Sequence, residues 1–242
     1  MAPPSPSGTI VAAARPVGEP QPSVYVYETP VRIWHWITAI CIVVLAVTGY
    51  LIGRPPPSLG GEASSHFMFG DIRFLHFSAG WVLTACFFGR VYWAFVGNQY
   101  ARQIFVVPVQ DIKWWKGMFF EIRWYAFLEK KPGKYLGHNP LAQLSMFLMF
   151  TIPLIFMIVT GLALYGEGEG ETSWLYMISQ TVFGLIGGPM MTHTLHTLGM
   201  WVIVVFTMVH LYLVVREDIM GEQSIVSSMV SGWRAFKTGR PG

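Results

Sequence analysis

The sequence predicts an all-α membrane protein: a bundle of four transmembrane helices with both termini cytoplasmic and amphipathic helices along the interface. Three observations carry that expectation. First, 53% of the 242 residues are hydrophobic and only 12% are charged, against about 25% in an average soluble domain, too little polar surface for a fold of this size to face water all round. That excludes a soluble enzyme and makes lipid the expected surroundings; with a formal net charge of only +3, no nucleic-acid partner is expected. Second, four apolar stretches are long enough to cross a hydrocarbon core of about 30 Å at about 1.5 Å per residue. Third, 14 of the 16 Lys and Arg residues fall on one side of the topology that four spans impose.

Taken in order, residues 1–23 are rich in Pro, Ser and Ala and lack a signal peptide's apolar stretch, so they read as a disordered cytoplasmic tail. Residues 24–218 form the transmembrane domain, with spans over Ile33–Ile52, Phe74–Val96, Leu141–Tyr165 and Leu195–Val215. Pro153 should kink the third span. In the 97–140 connection Trp114, Trp115, Phe119, Trp124 and Phe127 sit among Lys and Glu, which suits an amphipathic interfacial helix. Trp174–Ile186 is apolar but too short to span, so it should lie at the interface or re-enter. Residues 219–242 form a cytoplasmic amphipathic tail, with Ile225, Met229, Val230, Trp233 and Phe236 at helical spacing.

Basic residues stay cytoplasmic. Arg15, Arg32, Arg90, the seven Lys and Arg between residues 97 and 140, and Arg216, Arg234, Lys237 and Arg240 share one side; only Arg54 and Arg73 lie on the other. The expected location is a bacterial inner membrane, multi-pass. Cys41 and Cys86 lie inside apolar runs, which supports neither a disulfide framework nor a cysteine metal site. There is no C-x-x-C-H for covalent haem attachment.

Ionisable side chains inside spans are costly and therefore functional candidates. Four histidines qualify: His35, His76, His196 and His210. His196 and His210 are 14 residues apart, within 40° of the same helix face and about 21 Å apart along the axis. Chain direction puts His35 and His210 near the inner surface and His76 and His196 near the outer one. Two bis-histidine pairs at two depths are what two b-type haems require, whereas one zinc ion would need three or four ligands at one depth. Arg90 also follows His76 by 14 residues and reaches the inner depth, where a haem propionate would pair with it bidentately; Arg32, one turn before His35, is a second such candidate or a membrane anchor. Gly49, Gly80, Gly89, Gly161 and Gly199 allow close approach. At the cytoplasmic edge His138, Asn139 and Gln143 are candidates for holding quinone oxygens, the alternative being a helix cap before Pro140.

The run R-I-W-H-W-I-T-A-I-C-I-V-V-L-A-V-T-G (Arg32 to Gly49) and H-T-L-H-T-L-G-M-W-V-I-V-V-F-T-M-V-H (His193 to His210) resemble the two signatures of the b-type cytochrome subunit of membrane-bound nickel–iron, quinone-reactive hydrogenases. I-R-F-L-H-F-S-A-G, G-R-V-Y-W-A-F-V-G-N, G-H-N-P and R-E-D-I-M extend the likeness over everything after about Tyr25. Thr197 departs from it, standing where the second signature usually has a basic residue. The resemblance implies a diheme cytochrome, with His35, His76, His196 and His210 as axial ligands. It implies an electron-transfer subunit anchoring a periplasmic hydrogenase heterodimer, whose small iron–sulfur and large nickel–iron subunits are its partners. Electrons from hydrogen oxidation would pass to the outer haem, the inner haem and then quinone; hydrogen activation is not in this chain. The outer loops 54–73 and 166–192 are the expected docking surfaces. The competing readings are the cytochrome b subunit of a formate dehydrogenase or other quinone reductase, and a haem-free anchor or proton-coupled transporter.

Overall fold

A computed structural model describes residues 23–57, 67–221 and 224–236. All but Ser23 of the expected N-terminal tail thus lies outside the described residues, as does His66. In chain order the elements are β1 (Ser23–Tyr25), α1 (Thr29–Gly53), α2 (Met68–Val96), α3 (Ile112–Tyr125), α4 (Pro140–Ser145), a π-helical turn (Met146–Thr151), α5 (Ile152–Gly166), α6 (Trp174–Ile186), α7 (Pro189–Met220), α8 (Ile225–Ser231) and β2 (Trp233–Ala235). Helices α1, α2, α7 and the continuous stretch Pro140–Gly166 are each long and apolar enough to cross a membrane. They run beyond the apolar stretches because prolines and caps set helix ends. Pro30 and Pro189 sit in first turns, where a missing N–H costs nothing, and the Asn139 side chain caps α4 by accepting from Ala142 N.

Side chains such as Ile40, Phe88, Phe95 and Leu211 face outward from the bundle, as lipid-facing positions should. Between the spans Cys41, Leu83, Phe87, Phe150, Leu154 and Phe206 form one buried apolar cluster. The irregularity expected at Pro153 is the π turn immediately before it: proline cannot donate to the carbonyl four residues back, and the wider turn accommodates its ring. Helix α6 packs on α5, with the Ser179 hydroxyl donating to Ala163 O at 2.6 Å.

β1 and β2 meet at one end of the bundle, called here the sheet end; the 167–188 connection lies at the other, called here the loop end. β1 pairs antiparallel with β2, Ser23 opposite Ala235 and Tyr25 opposite Trp233. Glu28 accepts from Trp93 Nε1 at 3.0 Å and from Asn98 N at 2.9 Å, joining the start of α1 to the end of α2. The expected helical tail is therefore corrected: α8 stops at Ser231, Gly232 turns left-handed (φ 85°), and Trp233 to Ala235 run as a strand. Phe236 is fully buried rather than set on an amphipathic face.

The 97–139 connection also folds over the sheet end. α3 forms where an amphipathic helix was expected, but it turns Trp114, Met118, Glu121 and Trp124 inward onto protein, leaving Phe119 exposed. Trp114 Nε1 donates to Gln143 Oε1 at 2.9 Å, and Gln143 Nε2 donates to Val106 O at 2.7 Å. Glu121 is fully buried; its Oε1 accepts from Gly133 N at 3.1 Å and its Oε2 has no partner. Burial, reinforced by the Glu217 carboxylate, pushes its pKa from 4.5 up to about 7.

Two outcomes follow from this packing. A Cβ at Gly232 would lie 2.6 Å from the Tyr25 ring at a positive φ, so Gly232→Val should destabilise the detergent-solubilised protein by about 1–3 kcal/mol, read as a lower melting temperature and faster proteolysis of the C-terminus. Between pH 4.5 and about 7 the folded state keeps the Glu121 proton that the unfolded state releases. Stability therefore falls with rising pH across that window, by an amount on the order of 3 kcal/mol, and levels off above it. Glu121→Gln should flatten that slope in melting curves taken across the window.

Candidate cofactor site

The four span histidines come together as the depth argument pairs them. At the loop end His76 on α2 and His196 on α7 line one cavity of about 750 Å³, within the ~300–1,000 Å³ range of cofactor-sized pockets. Thr48 on α1 and Thr160 on α5 each hold one of these imidazoles. His76 Nδ1 is 2.8 Å from Thr48 Oγ1, and His196 Nδ1 is 2.7 Å from Thr160 Oγ1. Each hydroxyl already donates its proton to a carbonyl one turn back, Val44 O at 2.6 Å and Phe156 O at 2.8 Å. It must then accept from the imidazole, so the proton sits on Nδ1 and the Nε2 lone pair is left for a metal.

The next residue on each helix is glycine. A Cβ at Gly49 would stand 3.2 Å from the His76 ring, and one at Gly161 would stand 3.3 Å from the His196 ring. Space for each imidazole is therefore kept by the residue after the threonine that holds it. Gly199 packs instead against Met157, and Gly89 meets nothing within 4 Å. Arg73, His193 and Thr197 also line the cavity, with Glu167 and Glu169.

At the sheet end the ring centroids of His35 on α1 and His210 on α7 are 6.5 Å apart. Two imidazoles that shared one iron through metal–nitrogen bonds of about 2 Å would stand at about this separation. His210 stacks on Phe206 at 5.6 Å, while His35 Nδ1 is buried without a partner. Arg90 is 3% exposed. It donates through Nη2 to Ala101 O and lies over the Trp34 and Phe105 rings at 5.2 and 5.3 Å. Its Nε and Nη1 have no acceptor. Each orphaned donor costs about 1–3 kcal/mol, which an anion at this position would relieve.

The residues present fit haem: imidazoles in twos at both ends, glycines that clear the pair at the loop end, and at the sheet end a buried guanidinium short of an acceptor. Among the described residues no three His, Cys, Asp or Glu side chains cluster as a metal-ion site.

The remaining candidates are placed differently. Arg32 is engaged by Val230 O and by Thr29 Oγ1 at 2.9 Å, fastening α1 to α8. Asn139 is the α4 cap and Gln143 bridges Trp114 and Val106, so both amides have structural partners. His138 sits edge-on to Tyr27 with its Nδ1 3.2 Å from Gln103 Oε1, which leaves Nε2 as an acceptor. Burial, with Arg234 and other cationic neighbours, lowers its pKa to about 3, so it is neutral at physiological pH.

Sequence reasoning missed Thr48, Thr160, Arg73 and His193. A signal for the threonines exists: the tripeptide Val-Thr-Gly occurs at residues 47–49 and again at residues 159–161, once on each helix that clamps a histidine.

Comparison with known proteins places these features in context. The profile of the family described as prokaryotic cytochrome b561 matches residues 26–232. A probable Ni/Fe-hydrogenase B-type cytochrome subunit of Azotobacter vinelandii is 58% identical over 221 residues, covering 91% of this chain and 92% of its own length. A protein of the same name from Bradyrhizobium diazoefficiens is 54% identical and covers 98% of both chains. The probable Ni/Fe-hydrogenase 1 B-type cytochrome subunit of Escherichia coli K12 is 48% identical, over 89% of this chain and 92% of its own.

Proposed function

Because the chain belongs to the prokaryotic cytochrome b561 family, we propose that it is the b-type cytochrome subunit of a nickel–iron hydrogenase, carrying electrons through the membrane to quinone. The observation that carries the reading is the division of four intramembrane histidines into two pairs at opposite ends of one bundle. His76 and His196 would hold one haem b, and His35 and His210 a second. Each haem supplies, when bound, a one-electron iron couple that amino-acid side chains lack.

The chain's own residues do the rest. Thr48 and Thr160 orient the loop-end imidazoles; Arg90 offers its two free N–H groups to a propionate, with Arg32 a lesser candidate because only its Nε is unengaged. The apolar cluster around Leu154 and Phe206 excludes water between the two ends. Because the topology of four spans gives 14 of the 16 basic residues of the sequence to one side, the side that Arg90 and Arg216 occupy, the sheet end would be cytoplasmic in a bacterial inner membrane, and both termini with it. The loop end then faces a periplasmic hydrogenase heterodimer. Quinone would be reduced at the cytoplasmic edge beside His138, with two electrons delivered through the bundle and two protons drawn from cytoplasmic water; His138 Nε2 would accept a hydrogen bond from the quinol hydroxyl so formed, and Asn139 and Gln143 shape that edge.

The purified complex should show b-type bands in a reduced-minus-oxidised spectrum and two haems per chain. His76→Ala or His196→Ala should lower the count to one and abolish hydrogen-dependent quinone reduction, while hydrogen oxidation with an artificial dye persists. An absence of b-type bands, or loss of dye activity in a fully assembled complex, would refute this division of labour.

A further inference from the structure

The two histidine pairs differ in what holds them. At the loop end both imidazoles donate from Nδ1 to threonine hydroxyls at 2.8 and 2.7 Å. At the sheet end His35 Nδ1 has no acceptor and His210 is held by ring stacking on Phe206. A hydrogen bond from Nδ1 pushes electron density toward Nε2 and makes the imidazole a stronger donor. Stronger donation stabilises ferric over ferrous iron and lowers the reduction potential. The sheet end works the other way: nothing enriches His35, and Arg90 brings a buried cation that engages a carbonyl and two aromatic faces and would offset the negative charge of a propionate, so an added electron is favoured there. The charged groups lining the loop-end cavity are Arg73, Glu167 and Glu169; all three are exposed, of mixed sign and screened by solvent.

We propose that Thr48 and Thr160 are positioning residues that hold the loop-end iron at a lower reduction potential than the sheet-end iron, so that electrons run from the loop end to the sheet end. This rests on the haem reading above. One electron is lost at the loop end for each gained at the sheet end, the donor being the hydrogenase partner and the final acceptor a quinone.

The test is a spectroelectrochemical titration of the b-type bands in the purified hydrogenase complex, wild type against Thr48→Val, Thr160→Val and the matching serine variants. Valine keeps the shape and removes the hydroxyl; serine keeps the hydroxyl. Each valine variant should raise the lower of two midpoints, shifting the ferric-to-ferrous balance about tenfold, or about 59 mV for a one-electron couple. The upper midpoint should stay in place and serine should restore the wild-type value. Thr48 and Thr160 act through different histidines, so one variant reports if the other fails to assemble. Loss of the loop-end haem from both valine variants but neither serine variant also supports the assignment. Unshifted midpoints at full haem content, movement of the upper midpoint, or haem loss from valine and serine variants alike overturns it. If the wild-type complex holds no b-type haem, or His76→Ala leaves the haem count unchanged, the haem reading itself fails.

Discussion

An imidazole inside a membrane has two nitrogens to satisfy and no water to help. That constraint organises the loop end of this bundle. His76 and His196 reach across to neighbouring helices, and each finds a threonine whose own proton is already committed to its helix backbone. A hydroxyl in that state can only accept. The arrangement therefore fixes the tautomer and the ring orientation together, and it does so with a side chain that adds no charge to a low-dielectric interior. The glycine following each threonine lets the ring come close enough to make the bond.

The sheet end solves a related problem with arginine. Arg90 donates to Ala101 O, Arg216 to the carbonyls of Trp124 and Tyr125, and Arg234 to Gly137 O. These guanidinium groups lie over aromatic rings as well, Arg216 over Trp124, Tyr125 and Phe127. Loops that hydropathy marks as merely cytoplasmic are thereby folded into a cap over the helix ends. One consequence is that Gln143 and Asn139, which the sequence offers as quinone candidates, become the joints of that cap together with Glu28.

What was legible in the sequence follows from physical range. The spans and the grouping of the histidines depend on hydrophobic length and helical period, both of which are local or additive. The tail was misread because residues 225–236 do carry a helical spacing of apolar side chains; what ends the helix is a left-handed Gly232 and a strand partner some 200 residues away. The clamping threonines were invisible singly, since a threonine in an apolar helix normally bonds its own backbone. Thr84, Thr192 and Thr207 do so here and hold no imidazole. Only the recurrence of Val-Thr-Gly on two helices separates Thr48 and Thr160 from them. Asn139 and Gln143 lie at the sheet end, but their amides face protein.

The π turn at Met146–Thr151 has a bearing on how this family can vary in length. A bilayer measures a helix in ångströms, and removing one residue from this stretch would shorten it by only about 1.5 Å, well within what lipid absorbs. The bundle measures the same helix in degrees. A turn closed by i→i+5 bonds holds about one residue more than a regular one, so relaxing it at the same residue count would rotate everything beyond it by about 100°, swinging Thr160 and Gly161 away from His196. Losing one residue within the turn as it relaxes would leave that phase nearly unchanged, whereas a deletion elsewhere in the span would not, so Met146–Thr151 is where the third span can shorten by a residue without disturbing the site.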